Sequence, residues 1–448
     1  MEWDAGYGFH GIPTAQVVDV THAPGDTLEP HSRSGCTTVR DGIRPVLRNT
    51  KMIRPRCVFR LTTMLPIIVL AVGAAAQEPD FALTHGPYLQ QVTETSVMIV
   101  WTTNDRAASW VEYGTGENLE SFPTYGSVVQ TAKSSSHGLV DAYTTLHRVL
   151  ITGLRPAAQY RYRVFSKQIL QFQPYEVTYG ASTASGVHRF TTLKLDKDSF
   201  SFVVLNDIHQ DTVKLDGLLR DIPWGEIDLV FYNGDLIDYY EDDSQLFDGF
   251  LDTSVRHFAR ETPLILVRGN HETRGKNARR LLDFFPTRNG RFYYSFNQGP
   301  VHFIVLDSGE DKEDSHPVYA GLAVFDQYRQ EQADWLRRDI ETAASRTARF
   351  RVALFHIPPF GARGHGATHV GETWNELLNE AGVDLVLSGH THRFSRLSPE
   401  PGKNMYPVLI NGNDMLTRVD VSEDRLQVLV TQLGGGIVDT FTIMAQSR

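Results

Sequence analysis

The sequence is poor in cysteine, with two in 448 residues. Cys36 and Cys57 both lie upstream of residue 77, so the remainder of the chain can form neither a disulfide nor a thiolate site. Positive charge is also scarce, because 43 Lys and Arg face 53 Asp and Glu and the formal net charge is −10. This balance argues against a nucleic-acid backbone or an anionic membrane as partner. The sequence gives no indication of oligomeric state.

Long apolar runs are missing as well. The run from Leu61 to Gly73 has about 13 residues, too few to cross a ~30 Å hydrocarbon core as a helix. A basic stretch from Met52 precedes it and Ala74-Ala75-Ala76-Gln77 follows, the order of a secretory signal peptide. We therefore predict a signal peptide over 52–76, no transmembrane anchor in the mature chain, and a secreted or periplasmic protein. Residues 1–51 are interpreted as untranslated or disordered.

Residues 85–193 have the pattern of an all-β domain. Short apolar or alternating runs are separated by turn signals, which predicts a β-sandwich. The runs are Ser96–Thr102, Ser109–Tyr113, Thr145–Ile151, Gln159–Ser166 and Val187–Thr192. The stretch 115–145, rich in Ser, Thr and Gly, predicts an extended loop. The segment 153–162 resembles the fibronectin type III pattern, with Tyr160 as the candidate tyrosine corner.

From Phe200 onward, after a polar link at Lys194–Ser199, apolar strands alternate with helical patterns, which indicates α/β layers. The predicted strands are Phe202–Leu205, Leu229–Tyr232, Leu264–Val267, Val301–Leu306, Phe350–Phe355 and Val383–Leu387. The predicted helices are Val213–Ile222, Gln245–Ala259, Ala278–Phe285 and Gln327–Ala344. After Pro407 only strands are predicted, as hairpins that complete a sheet: Val408–Ile410, Thr417–Val421, Arg425–Thr431 and Val438–Ile443.

Five polar motifs each follow the end of a predicted strand. Carboxyl ends of strands in open α/β sheets meet at one crevice, so these side chains are expected to converge. The motifs are Asn206-Asp207-Ile208-His209, Asn233-Gly234-Asp235, Gly269-Asn270-His271-Glu272, His356-Ile357-Pro358-Pro359 and Gly389-His390-Thr391-His392.

The ligand types in these motifs suit a metal centre. Carboxylate, imidazole and amide donors without sulfur favour Zn, Mn, Fe or Ni. Taken singly, most of the motifs are more often caps, loop dipeptides or satisfied interior histidines. Five in this order at strand ends are not explained by packing, and they predict a site where two metals could clamp a displacement at phosphorus. The metals would also supply the positive charge that an acidic protein needs near phosphate.

The set of motifs resembles the calcineurin-like metallophosphoesterase superfamily. With the preceding β-domain, the chain is most similar to the purple acid phosphatases over roughly residues 85–445. The resemblance implies a multidomain α+β/α/β protein, in which a fibronectin III-like β-sandwich (85–193) precedes a four-layer α/β/β/α metallophosphoesterase domain (200–448).

The resemblance also implies roles for individual residues. The first metal would be held by Asp207, His209 and His392, the second by Asn270, His356 and His390, and Asp235 would bridge them. The cofactor would be two divalent ions, Mn, Zn, Fe or a mixture. His271 would contact the phosphoryl oxygens or protonate the leaving group, with Asn270 also facing the substrate. A metal-bound hydroxide would be the nucleophile.

Two positions depart from the purple enzymes. Those proteins have Asp-x-Gly where this chain has Asp207-Ile208-His209, and a Tyr three residues after the bridging Asp where this chain has Asp238. Because that tyrosinate binds iron(III) and gives the purple colour, a colourless or weakly coloured enzyme is expected.

The segment 361–369 predicts a mobile loop that carries further substrate contacts. Purple acid phosphatases place substrate-facing histidines in the equivalent loop. His365 is the candidate catalytic residue there, and Arg363 and His369 are candidate substrate-binding residues. A solvated surface loop is the alternative.

The sequence thus predicts an enzyme that hydrolyses small phosphate monoesters, with diesters as a further option. A 5′-nucleotidase or nucleotide-sugar hydrolase is an alternative, because it shares the five motifs. Such enzymes usually carry another C-terminal domain, and few residues follow His392 here. A non-catalytic binding module built on the β-domain is the remaining alternative.

Overall fold

The computed structural model describes residues 80–115, 129–194 and 197–446. The predicted signal peptide and residues 1–51 lie outside these ranges. Among the described residues, no helix has the length and apolar character needed to cross a membrane.

The N-terminal part is β-rich. Its strands are β1 (Tyr88–Gln90), β2 (Ser96–Gly114), β3 (Gln130–Ala132), β4 (Ser135–Ser136), β5 (Leu139–Val140), β6 (Ala142–Thr152), β7 (Gln159–Gln173), β8 (Glu176–Ala184) and β9 (His188–Thr191). Two predicted strands merge into the long β2, which shifts register near Ala107. Its first half pairs with β1 and β6 and its second half with β3 and β7, so it joins the halves of the predicted sandwich into one hydrogen-bonded network.

One prediction for this part was wrong, and one strand was missed. The stretch 129–145 contains β3, β4, β5 and the start of β6 rather than a loop, while residues 116–128 lie outside the described ranges. Strand β8 was not predicted, because Val177 and Tyr179 are the only large apolar residues in a segment otherwise rich in Ser, Thr, Gly and Ala. Pairing with β7 holds β8 in place, which is a tertiary contact that local pattern does not report.

Tyr160 has the predicted corner geometry. Its hydroxyl accepts the backbone N–H of Arg155 at 2.9 Å, and its ring stacks on Phe190 with 5.5 Å between centroids. The hydrogen bond back to a residue shortly upstream is the defining contact of a tyrosine corner.

The second part contains two six-stranded sheets. The first sheet has the order β12-β11-β10-β19-β20-β21 and the second sheet β13-β14-β15-β16-β18-β17. The strands are β10 (Phe200–Leu205), β11 (Leu229–Asn233), β12 (Leu264–Val267), β13 (Tyr294–Gln298), β14 (Val301–Val305), β15 (Phe350–Leu354), β16 (Leu385–Ser388), β17 (Ser395–Leu397), β18 (Val408–Ile410), β19 (Met415–Val421), β20 (Arg425–Gln432) and β21 (Ile437–Met444).

Alternation along the strands explains the layers. Phe202 and Val204 face the core between the two sheets, whereas Val203 and Leu205 face the helices outside the first sheet. Because successive side chains point to opposite faces, a strand that is buried on both sides is apolar throughout. Phe202 meets Phe303 of the second sheet edge-to-face at 5.2 Å. Helices outside both sheets complete an α/β/β/α stack.

The helices largely match the predictions. They are α1 (Thr212–Leu219), α2 (Ser244–Leu246), α3 (Asp252–Ser254), α4 (Leu281–Phe284), α5 (Phe325–Asp339), α6 (Ala343–Thr347) and α7 (His365–Glu380). π-helical turns join α2 and α3 into one helical stretch over 244–259. The predicted helix Gln327–Ala344 is divided into α5 and α6, and α7 was not predicted.

One topological prediction was wrong. Strand β18 does not form a hairpin with the strands after it, because it lies parallel to β16 in the second sheet. Only β19, β20 and β21 form the expected antiparallel extension, and they extend the first sheet. The chain therefore crosses between sheets after β18, at Asn411.

The β-domain packs against the first sheet and its helices. The Gln90 side chain donates to the carbonyl of Leu264 at 2.9 Å, and the Tyr162 hydroxyl donates to the carbonyl of Arg260 at 2.7 Å. One apolar cluster contains residues of both parts. The predicted division near Lys194–Ser199 falls between β9 and β10, with residues 195 and 196 outside the described ranges.

A buried network of hydrogen bonds joins β2 to its neighbours β6 and β7. The Trp101 indole donates to Ser166 (2.9 Å), Ser166 contacts Ser109 (2.8 Å), and Ser109 contacts His147 Nδ1 (2.9 Å). The other nitrogen of His147 lies 2.8 Å from the Thr103 hydroxyl. Burial lowers the pKa of His147 to about 4, so this ring is neutral in the folded protein at neutral pH.

We predict that His147 makes stability fall with acid. The unfolded chain binds a proton near pH 6.5 but the folded one only near pH 4, so stability is complete above 6.5 and decreases below it, by roughly 2 kcal/mol at pH 4.5. Denaturant unfolding at pH 7.5 and 4.5 measures this difference. His147→Gln should reduce it, whereas His137→Gln, an exposed control, should not. Equal pH dependence of His147→Gln and the parent would contradict the assignment.

Candidate metal centre

The five motifs meet where the two sheets place their parallel strand ends. Asp207 follows β10 and Asp235 follows β11, neighbours in the first sheet. His356 follows β15 and His390 follows β16, neighbours in the second sheet. The two sheets pack face to face, so side chains from both reach one site.

Side-chain amides tie the two sets of strand ends together. Asn411, after β18, donates to Asn206 Oδ1 at 2.9 Å, and Asn206 donates back to the Asn411 carbonyl at 3.2 Å. Asn233, at the end of β11, donates to the Leu387 carbonyl at 3.0 Å. These bonds fix the relative position of the loops that carry the predicted ligands.

The first group contains Asp207, His209 and His392. His392 Nε2 lies 3.2 Å from Asp207 Oδ1 and 3.2 Å from His209 Nε2. His209 Nε2 lies 3.9 Å from the same carboxylate oxygen. Asp207 Oδ1, His209 Nε2 and His392 Nε2 are therefore close enough to bind one metal ion.

The second group contains Asp235, His356 and His390. His356 Nε2 lies 2.9 Å from Asp235 Oδ2. His390 Nδ1 lies 3.1 Å from the amide oxygen of Asn270. His356 Nε2 is also only 3.8 Å from Asp207 Oδ1, so the two groups are contiguous. The structure thus brings together all seven residues predicted as metal ligands.

Hydrogen bonds to the far side of two imidazoles leave Nε2 facing the site. His356 Nδ1 lies 2.7 Å from the carbonyl of Asn233, and a carbonyl can only accept, so Nδ1 carries the proton. His209 Nδ1 lies 2.8 Å from the Asp238 carboxylate. Such partners orient metal-binding histidines. Asp238, noted in the sequence only as the replacement of a tyrosine, thus orients His209.

The backbone at the site is strained. Asp207, His209, Asp235, His390 and His392 have φ between 51° and 72°. The left-handed region costs non-glycine residues roughly 1–2 kcal/mol each. Five of the seven predicted ligands share this conformation, so directing these side chains into the site lowers the stability of the fold.

Glycines allow the loops to approach each other. A Cβ on Gly234 would meet the His356 ring, one on Gly269 would meet Asp235, and one on Gly389 would lie 2.7 Å from the Asp207 carboxylate. Of these three glycines, only Gly234, with φ +89°, has a positive φ. The other two are needed for close approach.

Glu272 holds the turn that carries Asp235. Its buried carboxylate accepts backbone N–H groups of Asp235 (2.9 Å), Leu236 (2.6 Å) and Gly269 (2.9 Å). Burial and the nearby Asp235 raise the pKa of Glu272 to about 7. The sequence placed Glu272 in a motif without assigning it this role.

The site is strongly anionic at its base. Burial opposes charge on the His356 ring, but the carboxylates of Asp235 and Asp207 outweigh burial and raise its pKa to about 10. Burial lowers the pKa of His390 to about 4, with His356 adding to the effect. The carboxylates therefore attract a positive charge to the point between them.

Atoms without partners support metal binding. Asp207 Oδ1 and His356 Nε2 are buried and make no well-formed hydrogen bond among the described residues; their close polar neighbours are His392 Nε2, 3.2 Å from the oxygen, and Asp235 Oδ2, 2.9 Å from the nitrogen. An unpaired buried polar atom costs about 1–3 kcal/mol. Cations would satisfy both atoms, and the carboxylate, imidazole and amide donors fit Mn, Zn or Fe.

His271 lies at the rim of the centre and both of its nitrogens have partners. Nδ1 donates to the Asp238 carbonyl at 2.9 Å and Nε2 accepts from Arg274 at 2.9 Å. Arg274 in turn donates twice to the buried Glu310, at 2.9 and 3.0 Å. The sequence reasoning missed Arg274 and Glu310, because no motif contains them.

The residues proposed from 361–369 do not join the cluster. The predicted mobile loop was wrong for His365 and His369, which begin helix α7. The helix buries Val370, Trp374 and Leu378 at helical spacing, a periodicity that the Gly-rich start obscured. The described contacts of His365 are with Asp326, at 2.8 Å, and with the ring of His369. Arg363 is exposed in the short segment before the helix.

Comparison with known proteins agrees with this site. The calcineurin-like phosphoesterase family matches residues 200–394, and the purple acid phosphatase N-terminal domain matches residues 86–192. The former range contains all seven predicted ligands.

Relatives of known name and structure extend the likeness. Acid phosphatase type 7 of Danio rerio is 27% identical over 68% of this chain and 69% of its own length. The protein of the same name in Mus musculus is 28% identical over 72% and 73%. A purple acid phosphatase from yellow lupin (Lupinus luteus) seeds has the same fold, with a TM-score of 0.60, 16% identity, and 80% and 74% coverage.

The fold, the site and the matches lead to one assignment. The chain contains a calcineurin-like phosphoesterase domain, preceded by the N-terminal domain of the purple acid phosphatases, and is a metal-dependent phosphoric ester hydrolase.

Proposed function

We propose that this protein is a secreted or periplasmic phosphatase with two metal ions that hydrolyses small phosphate monoesters. The observation that carries the proposal is the contiguity of the two ligand groups. His356 Nε2 lies 2.9 Å from Asp235 and 3.8 Å from Asp207, so one cation in each group would be close to the other. Export through residues 52–76 stays a prediction from the sequence.

The residues divide naturally between two ions. Asp207, His209 and His392 would hold one, Asn270, His356 and His390 would hold the other, and Asp235 would be shared. When bound, divalent ions at such a site supply Lewis-acid stabilisation of phosphoryl charge and lower the pKa of water. The protein's own contribution is to orient the ligands through Asp238, Asn233 and Glu272.

His271, with Arg274 beside it, lies where a phosphoryl oxygen would bind. Its Nε2 lies 3.9 Å from Asp235 Oδ2, at the rim of the site. The hydrogen bond from Nδ1 to the Asp238 carbonyl fixes the ring, and Arg274 adds a positive charge beside it. Burial lowers the pKa of His271. In the neutral ring Nε2 accepts from Arg274 and has no hydrogen to donate, so the guanidinium would supply the donors for a phosphoryl oxygen.

We predict metal-dependent turnover of p-nitrophenyl phosphate. Hydrolysis should be abolished by a chelator and restored by Mn, because the donors fit that ion. Bis-p-nitrophenyl phosphate, a diester, should be hydrolysed more slowly. Release of p-nitrophenolate measures both rates. Absence of turnover of either compound by protein with metals bound would instead support a binding module.

Asp235→Asn should remove both metals together. Loss of even an outer partner of a metal site costs ~10–100-fold in affinity or activity, so loss of a shared ligand should exceed about 100-fold in kcat/KM. Elemental analysis gives the metal content per chain. Asp198→Asn, at an exposed carboxylate outside the site, is the control and should keep both ions. Loss of a single ion from Asp235→Asn would rule out sharing.

The purified enzyme should lack a strong visible absorption band. The position of the colour-giving tyrosine holds Asp238, whose carboxylate bonds to His209, and the neighbouring Tyr239 is half exposed. Absorption spectra of metal-loaded protein before and after oxidation measure this. An intense tyrosinate-to-iron band would contradict the proposed ligand set.

A further inference from the structure

A cleft of about 1070 Å³ opens from the rim of the metal centre. Asp238 and His271 form its inner end. The segment Arg274–Arg279 forms one wall, and the segment Val318–Phe325 forms part of the other. A substrate whose phosphoryl group lies at His271 would extend its leaving group into this space.

The cleft is cationic although the protein is acidic. Charged side chains in its lining are five cations against two carboxylates: Arg268, Arg274, Lys276, Arg279, Lys312, Asp238 and Glu310. The chain as a whole carries a net charge of −10. A cleft of opposite sign concentrates anionic ligands.

Ion pairs neutralise three of the five cations. Arg274 pairs with Glu310 at 2.9 Å, Lys312 with Asp311 at 2.7 Å, and Arg268 with Asp307 at 2.5 Å. The remaining two, Lys276 and Arg279, are exposed and have no carboxylate within 4.0 Å among the described residues. Their charge is therefore available to a ligand.

The opposite wall is apolar and tied to the cationic one. Val318 and Leu322 are 66% and 75% exposed, so they offer apolar surface to a ligand in the cleft. The Tyr319 hydroxyl donates to Glu310 at 3.1 Å, the carboxylate that also holds Arg274. The buried Glu310 thus joins the segment that carries Arg274 to the segment that carries Tyr319.

Resting on the proposed function, we infer that the preferred substrates are phosphate monoesters whose leaving group carries a second phosphate. The scissile phosphoryl group lies at the metal centre beside His271. The carbon skeleton lies along Val318 and Leu322, and the second phosphate binds Lys276 and Arg279. Hydrolysis remains that of an ordinary monoester, in which water replaces the alcohol on phosphorus and the alcohol leaves with a proton.

The test compares two sugar phosphates that differ by one phosphate. Fructose 1,6-bisphosphate and fructose 6-phosphate are assayed by phosphate release with Mn. The ratio of their kcat/KM values should exceed about 10 in the parent enzyme, well beyond the factor of about 2 that two reactive groups would give. In Lys276→Ala/Arg279→Ala this ratio should fall at least about 5-fold, which corresponds to ~1 kcal/mol.

Two further double variants serve as controls. Lys276→Arg/Arg279→Lys keeps both charges and should keep the ratio. Arg338→Ala/Arg349→Ala removes two exposed arginines outside the cleft and should also keep it. A parent ratio near 2, or a ratio unaffected by the alanine pair, would overturn the inference while phosphatase activity stands. Absence of p-nitrophenyl phosphate hydrolysis would instead remove the proposed function itself.

Discussion

Two carboxylates buried side by side are the constraint on which the catalytic part depends. Asp207 and Asp235 end neighbouring parallel strands and are 0% and 1% exposed. Buried like charges are costly unless cations or hydrogen bonds compensate them. Imidazoles from the second sheet and backbone N–H groups compensate part of the charge, and metal ions would compensate the rest. The positive φ angles and close glycine contacts are the structural cost of bringing these groups together.

This constraint explains why the site needs two sheets. The carboxylates come from the first sheet, and His356 and His390 come from the second. The packing of Phe202 against Phe303 in the core therefore determines how the ligands of the two sheets are placed relative to each other. Hydrogen bonds from Asn206 and Asn233 then hold the ligand-bearing loops of one sheet against those of the other. A core substitution that shifts one sheet would therefore change metal binding as well as stability.

Outside the ligands, a second set of residues governs the approach of substrate. Glu310 holds Arg274 and Tyr319, and Arg274 holds His271. His271, Arg274, Glu310 and Tyr319 thus form a connected hydrogen-bonded unit beside the metal centre.

Much of this protein could be predicted from its sequence. The apolar runs of β10, β11, β15 and β16 and the polar motifs after them are local patterns, because burial on both faces dictates an apolar strand and metal ligands require particular donors. Tyr160 was found in the same way. Only the tertiary structure decided that Asp238 orients His209, that Arg274 contacts His271, that β18 joins the second sheet and that His365 lies on a helix beside Asp326. Those contacts join residues distant in sequence, and they depend on strand order and packing between sheets, which no local spacing records.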